Sequence, residues 1–308
     1  MGYKQDNRLV LQLNEWRNPK RKMNPILLVV CYHNGDVTQA EKLLDWISEL
    51  DGKLPHSCLL VADREVPIEK QRELKQKGLG IFHHVEALNV NTAGNKGHLA
   101  ANMMFHFTSE KIQNEYRLPF LWMEPDCVPM EPGWLNRISE AYHSSPKRYL
   151  GDIVVNPAPD PKSPLPPKFL SGISVYPSDA HRDISPHLKD GTAWDMAAAN
   201  KLVPMALDTP LIQHFKALVP PVFKEFKSSG DPENVVTRDF IQEGAVLFHA
   251  DKSGTLLELL RPAHEARKKL AEELAEIDRE AVRVAKVAAM KRNQALAPPE
   301  LKPEVASV

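Results

Sequence analysis

Fully apolar runs of strand length alternate with amphipathic stretches of helical period through the first third of the chain. Residues 25–32, Pro-Ile-Leu-Leu-Val-Val-Cys-Tyr, are apolar throughout and stop at the turn His33-Asn34-Gly35-Asp36, the pattern of a strand buried on both faces. Over 37–50 the apolar residues Ala40, Leu43, Leu44, Ile47 and Leu50 recur at helical spacing, and Asp51-Gly52 supplies the stop. A second buried strand covers 58–62 and ends in Asp63-Arg64, and a polar segment, 65–78, leads to a third strand over 79–85. Strand, helix, strand in this order predicts a parallel, doubly wound start.

The rest of the chain is organised around Phe120-Leu121-Trp122-Met123-Glu124-Pro125-Asp126, an apolar run that ends abruptly in two carboxylates separated by one residue. It reads as a buried strand emerging at the edge of an α/β sheet, where ligands bind outside the carboxyl ends of strands. Before it, the loop Asn91-Thr92-Ala93-Gly94-Asn95-Lys96-Gly97-His98 opens a helix of small residues. After it come a helix over 132–142 and strands over 149–156 and 168–177; proline at six positions within 157–167 excludes regular structure between those strands. Residues 178–193 are expected to be irregular, a mobile flap over a site. A helix follows over 192–200, then short apolar elements at 203–207 and 211–215 and a proline- and lysine-bearing excursion over 216–240. An apolar strand over 246–249 delivers His249, with Asp251 and Lys252 just beyond.

From 263 to 291 the composition shifts to Ala, Glu, Lys and Arg, and Leu270, Leu274, Ile277, Ala281 and Val284 form a near-heptad stripe. Such a helix is roughly 40 Å long at about 1.5 Å per residue, its stripe serving to pack on the body or to pair in a homodimer. The expected division is a surface lead-in over 1–24, a catalytic domain over 25–262, the long helix over 263–293 and a disordered tail over 294–308.

Composition narrows the classes. The 308 residues suffice for one large core with appendages. An apolar share of 43% and a charged share of 26% are ordinary for a soluble globular protein. With 39 basic and 40 acidic residues the formal charge is -1, so the overall field implies no particular partner. No segment is apolar for long enough to span a bilayer, the start carries no signal core, and Asp6 spoils the myristoylation pattern that Met1-Gly2 opens. Cys31, Cys58 and Cys127 are scattered without metal-ligand spacing, as expected of buried thiols in a reducing, cytoplasmic setting.

Two hard oxygen donors at a strand end, Glu124 and Asp126, suit a divalent cation that keeps water and binds phosphates; turn carboxylates in a proline-punctuated loop are the bland alternative. The loop at 91–98 lets a ligand approach the backbone and exposes N–H groups to an anion. It matches neither the dinucleotide nor the phosphate-loop fingerprint, and taken by itself a plain helix start is the slightly favoured reading. Trp194-Asp195 stands at a helix entrance, where the dipole favours a carboxylate, either as chemistry or as a cap beside a packing tryptophan.

In this order the motifs resemble those of GT-A fold, family 2-like glycosyltransferases over roughly residues 26–260. The resemblance implies an α/β, Rossmann-like fold, with a mostly parallel central sheet flanked by helices, and a nucleotide diphosphate sugar, a UDP-sugar foremost, as donor. Tyr32 and Asn34 fall at the family's opening strand and turn. Asp63 matches the acid that contacts the nucleotide base, and Asn95, Lys96, Gly97 and Asn102 are similar to the loop beside the nucleotide sugar. Glu124-Pro125-Asp126 sits where the family has Asp-x-Asp. That makes Asp126 the implied metal ligand, and Glu124, a departure from the pattern, is left for the ribose or a contact through water. Ser171 and Gly172 look like the acceptor-side strand. Trp194-Asp195 stands where the catalytic acidic motif belongs, reduced to one acid. His249 resembles the late histidine that completes the metal site, with Lys252 placed for the phosphates. Mn²⁺ or Mg²⁺ is the implied ion, and Asp195 the implied base for inverting attack, with Trp194 stacking on a sugar or base.

Small glycosyltransferases that tailed phages use on hydroxymethylated pyrimidines are similar in their soluble character and proline-rich insertions, which implies modified DNA as acceptor. Lys20-Arg21-Lys22, Lys147-Arg148, Arg267-Lys268-Lys269 and Lys291-Arg292 are the basic stretches available for its phosphates. A polysaccharide, a lipid-linked sugar or a protein competes as acceptor. From other classes, a non-catalytic nucleotide-binding scaffold of the same fold is the alternative. A nucleotidyltransferase ranks last, because Tyr32-His33-Asn34-Gly35-Asp36 replaces a Gly-rich loop after the first strand.

Overall fold

The computed structural model describes residues 25–155, 166–188, 191–215, 240–249 and 251–295. The lead-in, the core of the proline-rich segment, most of the 216–240 excursion and the tail from 296 lie outside the described residues. The chain divides into two compact units between Leu259 and Leu260.

The first unit is built on a seven-stranded sheet of order β3-β2-β1-β4-β7-β6-β8. Its strands are β1 (Leu27–Tyr32), β2 (Leu54–Asp63), β3 (Phe82–Val90), β4 (Phe120–Met123), β6 (Tyr149–Val155), β7 (Lys168–Tyr176) and β8 (Ala206–Asp208). Strands β3, β2, β1 and β4 run parallel, β7 runs antiparallel to both β4 and β6, and β8 is parallel to β6. A second sheet, β5-β10-β9, joins β5 (Val128–Pro129), β10 (Leu247–His249) and β9 (Ile212–His214). The α/β architecture read from the sequence, a mostly parallel sheet with flanking helices and a long C-terminal helix, is the one observed.

Central position explains the continuous apolar runs. Strand β1 lies between β2 and β4, and Leu27, Leu28, Val29 and Val30 are fully buried. Helix α1 (Val37–Asp51) buries Ala40, Leu43, Leu44, Trp46, Ile47 and Leu50, each large side chain contributing about 2 kcal/mol by leaving water. It ends where Gly52 takes a φ of 67° and donates its N–H to the Ser48 carbonyl at 2.9 Å, a backbone that glycine adopts without a Cβ clash.

Several boundaries differ from the sequence expectation. The polar segment 65–78 holds a helix, α2 (Ile68–Leu79), whose buried positions are Gln71, Leu74 and Gly78; so thin an apolar stripe carries little periodic signal. Strand β3 runs over 82–90 instead of 79–85, because Leu79 closes α2 and an edge strand tolerates exposed His83 and Asn89. Strand β2 starts earlier, at Leu54, with His56 buried and its Nε2 2.9 Å from Asn136 Oδ1. The expected flap contains α5 (Ala180–Ile184), whose Ala180 and Ile184 are fully buried. Tyr149 donates its hydroxyl to Asp183 there at 2.7 Å. The helix expected over 192–200 breaks at Ala198 into α6 (Trp194–Ala197) and α7 (Ala199–Leu202).

Helix α4 (Trp134–Ser144) buries Trp134, Leu135 and Ile138 at helical spacing, whereas α3 (Gly97–Lys111) buries Asn102, Thr108 and Ser109 beside Met104 and Phe105 and leaves Phe107 exposed. Helix α8 (Thr255–Ala295) begins before residue 263 and runs through Pro262. Asp251 initiates it, its Oδ2 accepting the N–H groups of Leu256 and Leu257 at 3.1 and 3.2 Å. Of the stripe, Leu270, Ile277 and Val284 are exposed. Among the described residues no helix is long and apolar enough to cross a membrane.

Candidate active site

Because β1 has β2 on one side and β4 on the other, the winding direction reverses there and a crevice opens beyond the strand ends. A cleft of about 540 Å³ occupies it. Tyr32 at the end of β1 lines it with Asn34 and Asp36 of the turn that follows, Asp63 at the end of β2 with Glu65 just beyond, and Glu124 just past β4. Asn95, Lys96 and Gly97 line it from the start of α3, with Trp194 and Lys252 completing the wall. Gly97 opens α3 at a φ of 57°, so the loop can turn its N–H groups towards the cleft.

The floor is rigid. Asp63 Oδ1 accepts the Glu65 N–H at 2.8 Å and Oδ2 accepts the Thr92 hydroxyl at 2.5 Å, which pins the ends of β2 and β3 together. Tyr32 is buried with an unpartnered hydroxyl, and burial pushes its ionisation up. Phe105 stacks on Trp194 at 4.9 Å and packs against Trp122 at 5.2 Å, so an aromatic cluster ties α3, β4 and α6 behind the cleft.

At one end stand Glu124, Asp126, His249 and Lys252. The His249 Nε2 lies 3.5 Å from Glu124 Oε2 and 3.5 Å from Asp126 Oδ1, while the Lys252 ammonium lies 2.9 Å from Asp126 Oδ2. The Asp126 side chain is 0% exposed, and neither of its oxygens has an aligned hydrogen-bond donor; the lysine contact is one of charge. Burial works against the Asp126 charge, yet His249 and Lys252 outweigh it and hold the carboxyl well below the usual range. Burial likewise opposes protonation of His249, but Asp126 and Glu124 outweigh it and lift the imidazole to about 9.

A buried carboxylate without an aligned hydrogen-bond donor, its Oδ1 3.5 Å from His249 Nε2, fits a divalent cation between the two. Cys127 belongs to the same group of potential ligand atoms, all within 4.8 Å of one another. Its thiol is pushed up by burial and by the Asp126 charge, the opposite of what a thiolate ligand needs. The donor set is therefore oxygen and imidazole, suited to Mg²⁺ or Mn²⁺. Asp126 itself lines a recess of about 60 Å³ behind the cleft, and Lys252 and Pro125 line both spaces.

Trp194 and Asp195 are buried at the start of α6. A Cβ at Gly172 would come within 3.1 Å of the Trp194 ring and 3.5 Å of Asp195 Oδ2, so glycine is what lets β7 approach them. Asp195 Oδ1 accepts the Met196 N–H at 2.9 Å. Ser171 is fully buried and its hydroxyl accepts the Ile173 N–H at 3.3 Å, a strand-internal bond. Asn102 faces away from the main cleft: its amide donates to the Thr192 carbonyl at 2.8 Å, and it lines a separate cleft with Met103 and His106.

Sequence reading missed His214 and Asp152. In the parallel pairing of β9 with β10, His214 stands opposite His249 with ring centroids 5.0 Å apart. Asp152 Oδ2 accepts the His214 N–H at 2.7 Å, and burial lifts this carboxyl to about 6. The only local signal was a polar residue inside a short apolar run, Asp152 between Gly151 and Ile153 and His214 between Gln213 and Phe215.

No family model and no curated protein matches this chain. Solved structures that align with it include an active-site mutant of LgtC, at 8% identity and a TM-score of 0.47 over 73% of this chain and 87% of that one. The apo form of mouse xyloside xylosyltransferase 1 aligns at 13% identity and 0.45, over 74% of this chain and 98% of that one. The bifunctional glycosyltransferase WbbM aligns at 9% and 0.45, over 75% of this chain and 46% of its own.

Proposed function

We propose that this protein is a GT-A-type glycosyltransferase that moves a sugar from a nucleoside diphosphate sugar, with UDP as the nucleotide, to a hydroxyl acceptor. The observation that carries the reading is the meeting of Asp126 and His249, 3.5 Å apart, beside a 540 Å³ cleft of the size that holds small ligands. Asp126 and His249, with Glu124 on the same imidazole nitrogen, would hold a divalent cation. Bound there, the cation neutralises charge on the departing diphosphate as a Lewis acid. His249 gives up its proton when it ligates. Asp63, Tyr32 and Asn34 border the nucleoside end, and Lys96 with the N–H groups at the start of α3 faces anionic oxygens.

The bond from the anomeric carbon to the diphosphate breaks as the acceptor oxygen attacks. Asp195 takes the acceptor proton, and attack from the face opposite the diphosphate inverts the anomeric centre. Trp194, which lines the cleft, stacks on the sugar or base, and Gly172 lets β7 pack against its ring.

A hydroxymethylated pyrimidine in DNA is the acceptor that the sequence resemblance favours, in a reducing cytoplasm that fits three free cysteines. One observation weighs against DNA: Arg148, a residue available for its phosphates, is held by Asp179 at 2.9 Å and Asp183 at 3.0 Å, and a glycan hydroxyl is the competing acceptor. The test is nucleoside diphosphate release from a panel of nucleotide sugars with Mn²⁺, offered hydroxymethylated duplex or glycan acceptors. Release is expected to need Mn²⁺ and to vanish in Asp126→Ala. DNA binding that falls steeply with salt selects the DNA acceptor. Nucleotide binding without release from any donor leaves the non-catalytic scaffold.

A further inference from the structure

We infer that Lys252 is a displaceable counter-ion that makes cation binding at Asp126 wait for the diphosphate, an inference that rests on the nucleotide-sugar reading of the cleft. Asp126 is sealed from solvent, whereas the Lys252 side chain is 32% exposed with its ammonium 2.9 Å from Asp126 Oδ2. Lys252 lines both the nucleotide cleft and the recess that Asp126 borders. The ammonium therefore stands between the carboxylate and the space where phosphates would arrive.

The backbone around it is held. Gln39 Nε2 donates to the Lys252 carbonyl at 3.1 Å, and the Asp251 N–H donates to the Asp126 carbonyl at 2.8 Å. Asp251 also caps α8 through Leu256 and Leu257. With the main chain fixed, rotation of the lysine side chain is the motion that uncovers Oδ2. Asp36 and Glu124, which both line the cleft, are the other carboxylates whose fields reach the ammonium, so it has somewhere to go.

A divalent cation arriving alone meets the ammonium on the oxygen it needs, and the two repel. A diphosphate in the cleft attracts the ammonium off the carboxylate and supplies oxygens to the cation. Cation and nucleotide then favour each other's binding, and by linkage each raises the affinity of the other by the same factor. Removing the ammonium opens Oδ2 permanently, so the cation binds alone and the mutual help shrinks.

The experiment is calorimetric titration of Mn²⁺ into the full chain with and without UDP, for wild type, Lys252→Met and Lys252→Gln, with thermal melts to confirm folding. In wild type UDP is expected to tighten Mn²⁺ binding by about 100-fold, within the range of coupled sites. In both variants Mn²⁺ alone should bind about tenfold tighter and the gain from UDP should fall about tenfold. Equal or weaker Mn²⁺ binding in the variants overturns the inference while leaving a UDP-binding, sugar-transferring protein intact. Failure of wild type to bind either UDP or Mn²⁺ removes the functional reading and the inference with it. Should Lys252→Met not fold, the glutamine variant, which keeps a polar head, decides.

Discussion

Asp126 and Asp152 are both buried carboxylates in the same unit, 3% and 7% exposed, and their surroundings drive them in opposite directions. Burial raises the pKa of each. At Asp126 an imidazolium and an ammonium reverse that effect. At Asp152 the compensation is one backbone N–H from His214, and the neighbouring charge is Asp208, so the carboxyl rises to about 6. Burial alone therefore does not set the charge of a carboxylate; the cations beside it do. Asp126 is arranged to stay negative and to be met by something more, Asp152 to accept a bond and position His214 beside His249.

The comparison breaks first at the level of binding. Asp126→Ala should weaken Mn²⁺-dependent UDP binding by at least about 100-fold, beyond what the loss of an outer partner of a metal ligand costs. Asp152→Asn should leave that binding within about twofold, since the amide oxygen keeps the His214 N–H. Calorimetry reads both, and equal losses would erase the distinction between the two acids.

A third buried carboxylate, Asp195, sharpens it. Asp195→Asn should lower the rate of sugar transfer by about 10²- to 10⁴-fold while nucleotide affinity stays unchanged, as steady-state rates and equilibrium titration would show. A fully active variant moves the base elsewhere.

Next in size is the pH dependence of the metal-free protein. The imidazole of His249 is raised from 6.5 to about 9 by folding. Its ion pair therefore stabilises fully below pH 6.5, and that stability is lost as pH rises through about 9. Calorimetric melting should show Tm falling on the order of 5 °C across this window, and much less in His249→Gln. The smallest effect belongs to Asp152. A folded pKa raised from 3.8 to about 6 favours the fold below 3.8, and that contribution is lost as pH rises through 6. Asp152→Asn should then raise Tm at pH 8 by about 2 °C and change it less at pH 4. A lower Tm at pH 8 would mean that the Asp152 charge is compensated after all.

Legibility followed local signal strength. Strand β1, helix α1 and the Glu124–Asp126 strand end could be read because a central strand needs an unbroken apolar run and a packed helix needs a broad stripe. Helix α2 escaped because Leu74 is its one large buried apolar side chain. Helix α5 was read as irregular because five residues give no period, although burial of Ala180 and Ile184 holds it. Within the site, Asp126, His249 and Lys252 each stand at a strand end or just beyond one, where sequence points to chemistry. Asn102 shared a motif with Asn95, yet helical rotation turns it to the other side of α3.

By itself the sequence determined the elements around the cleft, the carboxylates at the end of β4 and a histidine delivered by a late strand, since run length and period are properties of neighbouring residues. Only the tertiary structure decided that β10 lies between β5 and β9, that His249 meets Asp126 and pairs with His214, and that Lys252 covers the carboxylate. Those meetings are set by strand order and register between segments far apart in the chain, and no local pattern of polar and apolar residues encodes a distance across a sheet.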